Sequence, residues 1–170
     1  MAIREILVYP DPRLREPGQP VQEVNDQIRE LIDDMAETMY AAPGVGLAAP
    51  QIGVAKRIFV IDVATEDEPS DFRAFINPEI LLTQGTQSYQ EGCLSFPGVS
   101  ENIKRAEQVK VRALNAEGEP FELEADGLLA VAIQHENDHL DGVLMIDKVT
   151  PLKRRMMSRK LARAREEART

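Results

Sequence analysis

The sequence predicts an α+β fold: short antiparallel β-sheets packed around a central motif-bearing helix, with an N-terminal helix and a C-terminal helix. Three observations lead there. Residues 25–39 place apolar side chains at helical spacing, and residues 56–110 break into short β-type runs separated by turn signals. Residues 128–140 are apolar on nearly every side yet enclose a dense polar hexapeptide. With 170 residues the chain is expected to form a single domain over residues 1–170, of which 151–170 would be a basic C-terminal helix.

Each element has a local reason. The opening from Val8 to Pro20 is dense in proline and predicts an extended, turning arm. Asn25 suits an N-cap, and Ile28, Leu31, Ile32, Met35 and Met39 follow as the buried stripe of a helix of about four turns. Asp33, Asp34 and Glu37 should lie on its wet side, and Pro43-Gly44 should end it. Residues 58–63 and 72–76 are strand-like, with an acidic connection over 66–71. Val109 to Leu114 alternates with period two and should pair, through a turn at 115–118, with 121–124 as a hairpin. Asp126-Gly127 should open a buried helix over 128–140, and Asp141-Gly142 should close it. Thr150-Pro151 predicts the start of the last helix, an N-cap followed by proline, with Leu152, Met156 and Leu161 packing it.

Composition narrows the class. The apolar share of 43% and the charged share of 29% are those of an ordinary globular protein, and no apolar run reaches the ~20 residues of a membrane span. The first residues lack the apolar core of a signal peptide, and a lone cysteine cannot form an internal disulfide, so a cytoplasmic location is expected. Charge is divided unevenly. Residues 151–170 carry eight Lys/Arg against Glu166 and Glu167, a net +6, which leaves −15 on the other 150 residues of a chain whose total is −9. A basic tail on an acidic body points to a polyanionic partner that the body alone would repel.

Both histidines of the chain lie in Gln134-His135-Glu136-Asn137-Asp138-His139. Residues four apart project from one helical face, so the two rings can address one ion, and Glu136 sits about 100° round, where a general base for water belongs. Two histidines scattered at random in this chain would fall four apart roughly once in ninety. The alternative is a pair of histidines satisfied by hydrogen bonds, with Glu136 as a buried ion-pair partner. Burying so many polar groups in an apolar helix is costly unless they have partners, and a cation with its surrounding hydrogen bonds would supply them. Asp138 and Asp141 fit equally as acceptors around such a site or as surface charges. Cys93 is the third soft donor available, and three protein donors leave a position open to water, the arrangement of catalytic rather than scaffolding sites.

Cys93 is bracketed by glycines and a proline in Glu91-Gly92-Cys93-Leu94-Ser95-Phe96-Pro97-Gly98, a strand-to-turn context that can aim a thiolate into a site and leave the next N–H free to donate. Gly44-Val45-Gly46-Leu47-Ala48-Ala49-Pro50-Gln51 lets backbone approach a ligand closely, and Gln51 can donate through its amide; a packed turn explains the same composition.

Taken together, residues 44–51, 91–95 and 134–139 resemble the peptide deformylase family, whose motifs run G-x-G-x-A-A-x-Q, E-G-C-x-S and Q-H-E-x-D-H in this order. The resemblance covers most of the chain and departs at no catalytic position. It implies a metal-dependent amide hydrolase that removes the N-formyl group from N-formylmethionine of new polypeptides and releases formate. It implies one divalent metal on Cys93, His135 and His139, Fe²⁺ physiologically, with Zn²⁺, Ni²⁺ or Co²⁺ able to take its place. Glu136 would be the base, and Gln51 with the Leu94 N–H would stabilise the oxyanion. Val45, Tyr89, Leu128, Val131 and the His135 ring would line a methionine pocket, Gly46 and Gly92 would bind the peptide as an added strand, and Glu91 with Arg105 would support the site as a salt bridge. The implied partners are N-formylmethionyl nascent peptides and, through the basic C-terminal helix, the ribosome near its exit tunnel; the protein is expected to act as a monomer without a membrane.

Overall fold

The structure, a computed structural model, describes residues 2–169; Met1 and Thr170, at the ends of the expected domain, lie outside the described residues, as do the side chains of Arg165, Ala168 and Arg169 in the basic segment. Helix α1 (Asp26–Ala41) leads into strands β1 (Gly46–Ala48), β2 (Ile58–Ile61), β3 (Arg73–Gln84), β4 (Gln87–Cys93), β5 (Phe96–Arg105), β6 (Gln108–Leu114) and β7 (Pro120–Asp126). Helices α2 (Gly127–Leu140) and α3 (Pro151–Arg169) complete the chain, with single 3₁₀ turns at Pro12–Arg15, Ala49–Ile52 and Met145–Lys148.

The strands form an antiparallel five-stranded sheet in the order β1-β2-β3-β6-β7 and an antiparallel pair β4-β5. This is the expected α+β class, although β3 runs to 12 residues and β5 to 10, longer than the short runs the sequence suggested. β2 explains why its sequence is apolar without interruption: it is buried on both faces. Ile58 and Val60 pack with Met35, Met39 and Leu47 against α1, while Phe59 and Ile61 pack with Phe75, Ala130, Ile133 and Leu140 against α2. A third cluster joins Leu7 and Leu14 of the arm to Phe96 and Val99 of β5 and to Met157 and Leu161 of α3. Helix α2 therefore has packing partners on several sides, as its lack of a continuous polar face predicts.

Local chemistry accounts for the boundaries. Asn25 caps α1 by accepting from the Ile28 N–H at 3.1 Å. The β6-β7 turn is built on Asn115, whose side chain accepts from Glu117 and Glu119 N–H, each at 3.0 Å. Asn77 in β3 has φ +53, and it is anchored by bonds in both directions to the Val21 backbone, at 2.8 and 2.9 Å, where the β3-β6 register shifts.

Three local expectations change. Asp34 is buried rather than wet, because Arg4 of the arm folds over it with bonds of 2.7 and 3.0 Å and the Ala2 N–H donates to it at 2.7 Å. Asp126 stands at the N-cap of α2 without a side-chain capping bond; β7 runs directly into the helix through Gly127 at φ +55. In α3 Leu161 is buried as expected, but its buried partner is Met157, one turn before it, whereas Leu152 and Met156 are exposed at 66% and 49%, so the packed face is turned from the one expected. The proline-rich arm is extended and turning, as expected, with its 3₁₀ turn capped by Asp11.

Candidate metal centre and active site

Helix α2 crosses behind β1 and carries His135 and Glu136 on adjacent positions, with His139 one turn on. β4 ends at Cys93, which delivers its sulfur to the same point. One ligand atom from each of Cys93, His135 and His139 lies within 4.8 Å of the others, and Cys93 Sγ is 3.4 Å from His139 Nε2. The rings of His135 and His139 meet edge to face, with centroids 5.1 Å apart.

A chain of charges stands behind this group. Glu91 Oε1 is 2.9 Å from His135 Nδ1, which leaves Nε2 as the ring atom free to ligate. Arg105 clasps Glu91 with both Nε and Nη2, at 2.6 and 2.9 Å, and its Nη1 reaches Asp138 at 2.8 Å. Both Glu91 and Arg105 side chains are 4% exposed, so each compensates a charge that could not stand alone there. The expected Glu91–Arg105 salt bridge is thus present, and Asp138 extends it. Asp141, in contrast, is a half-exposed partner of Arg57 at 3.0 Å.

Burial works against the Glu91 carboxylate, but the bonds from His135 and Arg105 outweigh it and hold its pKa below the usual value. Burial pushes the Glu136 carboxyl up to about 7, although the neighbouring charges of His135 and Arg105 pull it down. Burial also disfavours a protonated His135, yet the Cys93 sulfur and Glu91 raise its pKa well above the ordinary value. Burial together with the charge of His135 and Arg105 pushes His139 well below, which keeps that ring neutral.

Gln51 comes from the 3₁₀ turn that follows β1. Its Oε1 accepts from the Ala48 N–H at 2.9 Å, while Nε2 donates to Ser95 Oγ at 3.1 Å and faces Cys93 Sγ at 3.6 Å. The arm straps these segments together: Leu7 N–H donates to the Gln51 carbonyl at 2.7 Å and Tyr9 N–H to the Ser95 carbonyl at 2.9 Å, with the Tyr9 ring stacked on Phe96.

These groups share a cavity of about 670 Å³. Its lining includes Val45, Gly46, Gln51, Gly92, Cys93, Leu94, His135 and Glu136, so the structure brings all of these expected residues together except the innermost ligand, His139. Tyr89, Leu128 and Val131 are not part of the lining. Tyr89 lies on β4 at 40% exposure, and Leu128 and Val131 precede His135 on one face of α2, Val131 being buried. Sequence reasoning missed the contribution of Ser95 to the Gln51 amide and of Pro97 to Ser100 to the cavity wall. The first had a signal, its place in the E-G-C-x-S motif; the second had none.

The donors suit a divalent ion. One sulfur and two imidazoles, one held neutral and the other with its second nitrogen engaged, match borderline transition metals. Glu136 Oε1 and His139 Nδ1 are buried without a hydrogen-bond partner among the described residues, so the polar interior of the site is incomplete in protein atoms alone.

An α+β scaffold that aims this donor set and a buried carboxylate into an open cavity is that of a metal-dependent amide hydrolase. The family model described as polypeptide deformylase matches residues 3–155. The peptide deformylase of Alkalilimnicola ehrlichii is 56% identical over 161 residues, covering 95% of this chain and 90% of that protein, and the one from Azotobacter vinelandii is 55% identical over 162 residues, covering 95% of each. Among solved structures, the peptide deformylase of Legionella pneumophila superposes with a TM-score of 0.93 at 48% identity over 99% of both chains, and that of Ehrlichia chaffeensis with 0.95 at 35% identity over 99% and 100%. The chain belongs to the peptide deformylase family, hydrolases that remove the N-formyl group from nascent peptides.

Proposed function

We propose that Cys93, His135 and His139 hold one divalent metal, Fe²⁺ in the cell, with Zn²⁺, Ni²⁺ or Co²⁺ able to substitute, and that Glu136, Gln51 and Leu94 carry the hydrolysis beside it. The observation that carries this reading is the convergence of one sulfur and two imidazole donors within 4.8 Å beside Glu136, whose buried carboxyl belongs to the same cavity. When bound, the ion supplies Lewis-acid chemistry, polarising the formyl carbonyl and acidifying water. Glu136 accepts a proton from the attacking water, and a carboxyl balanced near neutrality can also return it to the departing amine nitrogen. As water adds to the formyl carbon, Gln51 Nε2–H and the Leu94 N–H donate to the oxygen that gains charge. The C–N bond then breaks, giving formate and a free N-terminal methionine.

The peptide follows the cavity as an added strand against the backbone of Gly46 and Gly92, with Val45 beside it. The methionine side chain is received by an apolar pocket of Tyr89, Leu128, Val131 and the His135 ring. Assay of formyl-Met-Ala-Ser beside its acetylated twin tests the reading. Release of formate from the first with little cleavage of the second is expected, and preference for the acetyl peptide would overturn it.

We infer docking on the ribosome near the exit tunnel through the basic helix α3, by a protein that acts as a monomer in the cytoplasm. Arg155, Arg159, Lys160 and Arg163 are exposed, and Met157 and Leu161 anchor the helix in the third core cluster. No helix among the described residues is long and apolar enough to cross a membrane. Because Met157 and Leu161 are core residues, reversing the four exposed charges to Glu is a cleaner test than truncation. Co-sedimentation with ribosomes should fall while hydrolysis of the free peptide persists; unchanged, salt-insensitive co-sedimentation would remove α3 from the interface.

A further inference from the structure

We propose that Ser95 is a positioning residue for deformylation: its buried hydroxyl fixes the roll of the Gln51 carboxamide, so that the nitrogen end rather than the oxygen end faces the reacting formyl group. The inference rests on the proposed role of Gln51 as a donor to the developing oxyanion.

A carboxamide has two ends of nearly equal size and opposite hydrogen-bonding character, so a catalytic one must be held against rotation. Gln51 is held at both ends. The Ala48 N–H can only donate, and it selects Oε1 at 2.9 Å. At the other end Nε2 donates one hydrogen to Ser95 Oγ at 3.1 Å and turns the other toward Cys93 Sγ at 3.6 Å, on the side of the cavity in which Gln51, Cys93, His135 and Glu136 meet. Gln51 is 1% exposed and Ser95 fully buried, so no bulk water is available to replace that bond.

The spacing of the two residues is also fixed. The Gln51 carbonyl accepts from Leu7 N–H at 2.7 Å and the Ser95 carbonyl from Tyr9 N–H at 2.9 Å, so one stretch of the arm sets both backbones in register. Ser95 lies one residue beyond Leu94, whose N–H is the second proposed donor. The hydroxyl thereby couples the two segments from which the oxyanion donors come.

A double-mutant cycle on the metal-loaded protein tests this. Gln51→Ala should lower kcat about 100-fold, as loss of an oxyanion donor does. Ser95→Ala should lower kcat about tenfold, the effect of about one hydrogen bond, with KM, metal content and melting midpoint little changed. In the Gln51→Ala background Ser95→Ala should cost nothing further. Independently of turnover, the side-chain amide resonance of Gln51 in the zinc-loaded protein should move in Ser95→Ala. Equal losses from Ser95→Ala in both backgrounds, or no loss from it where Gln51→Ala is impaired, would overturn the inference and leave the role of Gln51 standing. A parallel fall in metal content and melting midpoint would make the hydroxyl structural and likewise overturn it. Full activity of Gln51→Ala would instead remove the oxyanion role of Gln51, and the inference with it.

Discussion

Gly46 lies flat against the carboxylate of Glu136: a Cβ at position 46 would stand 2.5 Å from Glu136 Oε2 and 3.0 Å from its Cδ. The second glycine of the G-x-G stretch is therefore required by contact with a proposed catalytic group. Gly46→Ala should force the carboxylate aside and lower kcat about 100-fold, the order of loss expected when a reacting group moves by roughly 1 Å. Metal analysis of the same preparation should still find one ion per chain. An active Gly46→Ala variant would mean that Glu136 has room to adjust or does not act as the base.

Glu136 and Cys93 should separate catalysis from metal retention. Glu136→Ala is expected to abolish turnover while metal content stays near one per chain. Cys93→Ser should instead weaken metal affinity, read by competition with a chelator, because a hydroxyl is a poorer donor than a thiolate to a borderline ion. Loss of metal in Glu136→Ala, or unchanged affinity in Cys93→Ser, would reverse the assignment of that residue.

Arg105 answers two carboxylates from a nearly inaccessible position, so Arg105→Ala would leave Glu91 buried with only His135 to answer it. A loss of about 3–5 kcal/mol is expected in urea unfolding. Arg105→Lys should restore little of it, since an ammonium cannot make the paired contact with Glu91 and also reach Asp138. Full stability of the lysine variant would show that charge alone is needed there.

Asp34 gives the fold an acid-sensitive contact remote from the metal centre. Bonds from Arg4, opposed by burial, hold its carboxyl below the usual pKa near 4. A carboxylate with a depressed folded pKa stabilises the protein above its unfolded pKa and ceases to do so as pH falls through the folded value. The stability difference between the natural protein and Asp34→Asn should therefore be about 1–2 kcal/mol between roughly pH 5 and 8 and should close in more acid solution. A gap that persists undiminished at about pH 2 would trace the effect to shape rather than charge.

Much of this architecture was legible because local signals agreed with global packing. The stripe from Ile28 to Met39 found its sheet, Asn25 its capping bond, and the Asn115 turn its hairpin. Where the reading failed, a distant partner had intervened. Nothing near Asp34 announces that Arg4 will cover it, and the rotation of α3 depends on which of two adjacent methionines meets Phe96 and Leu14. The chemistry followed the same division. The three motifs name the residues that meet at the cavity and include Asp138 and Ser95, but the bonds of Asp138 to Arg105 and of Ser95 to Gln51 were settled only when segments far apart in sequence came together.

The strap formed by Leu7 and Tyr9 makes the order of synthesis matter. Residues 7–9 are made before Gln51 and Ser95, so the Leu7 and Tyr9 N–H groups find these acceptors only once the later segments have followed. Such non-local contacts wait on closure of the intervening loops. Residues made before either wall of the site thus close over it only after both walls exist.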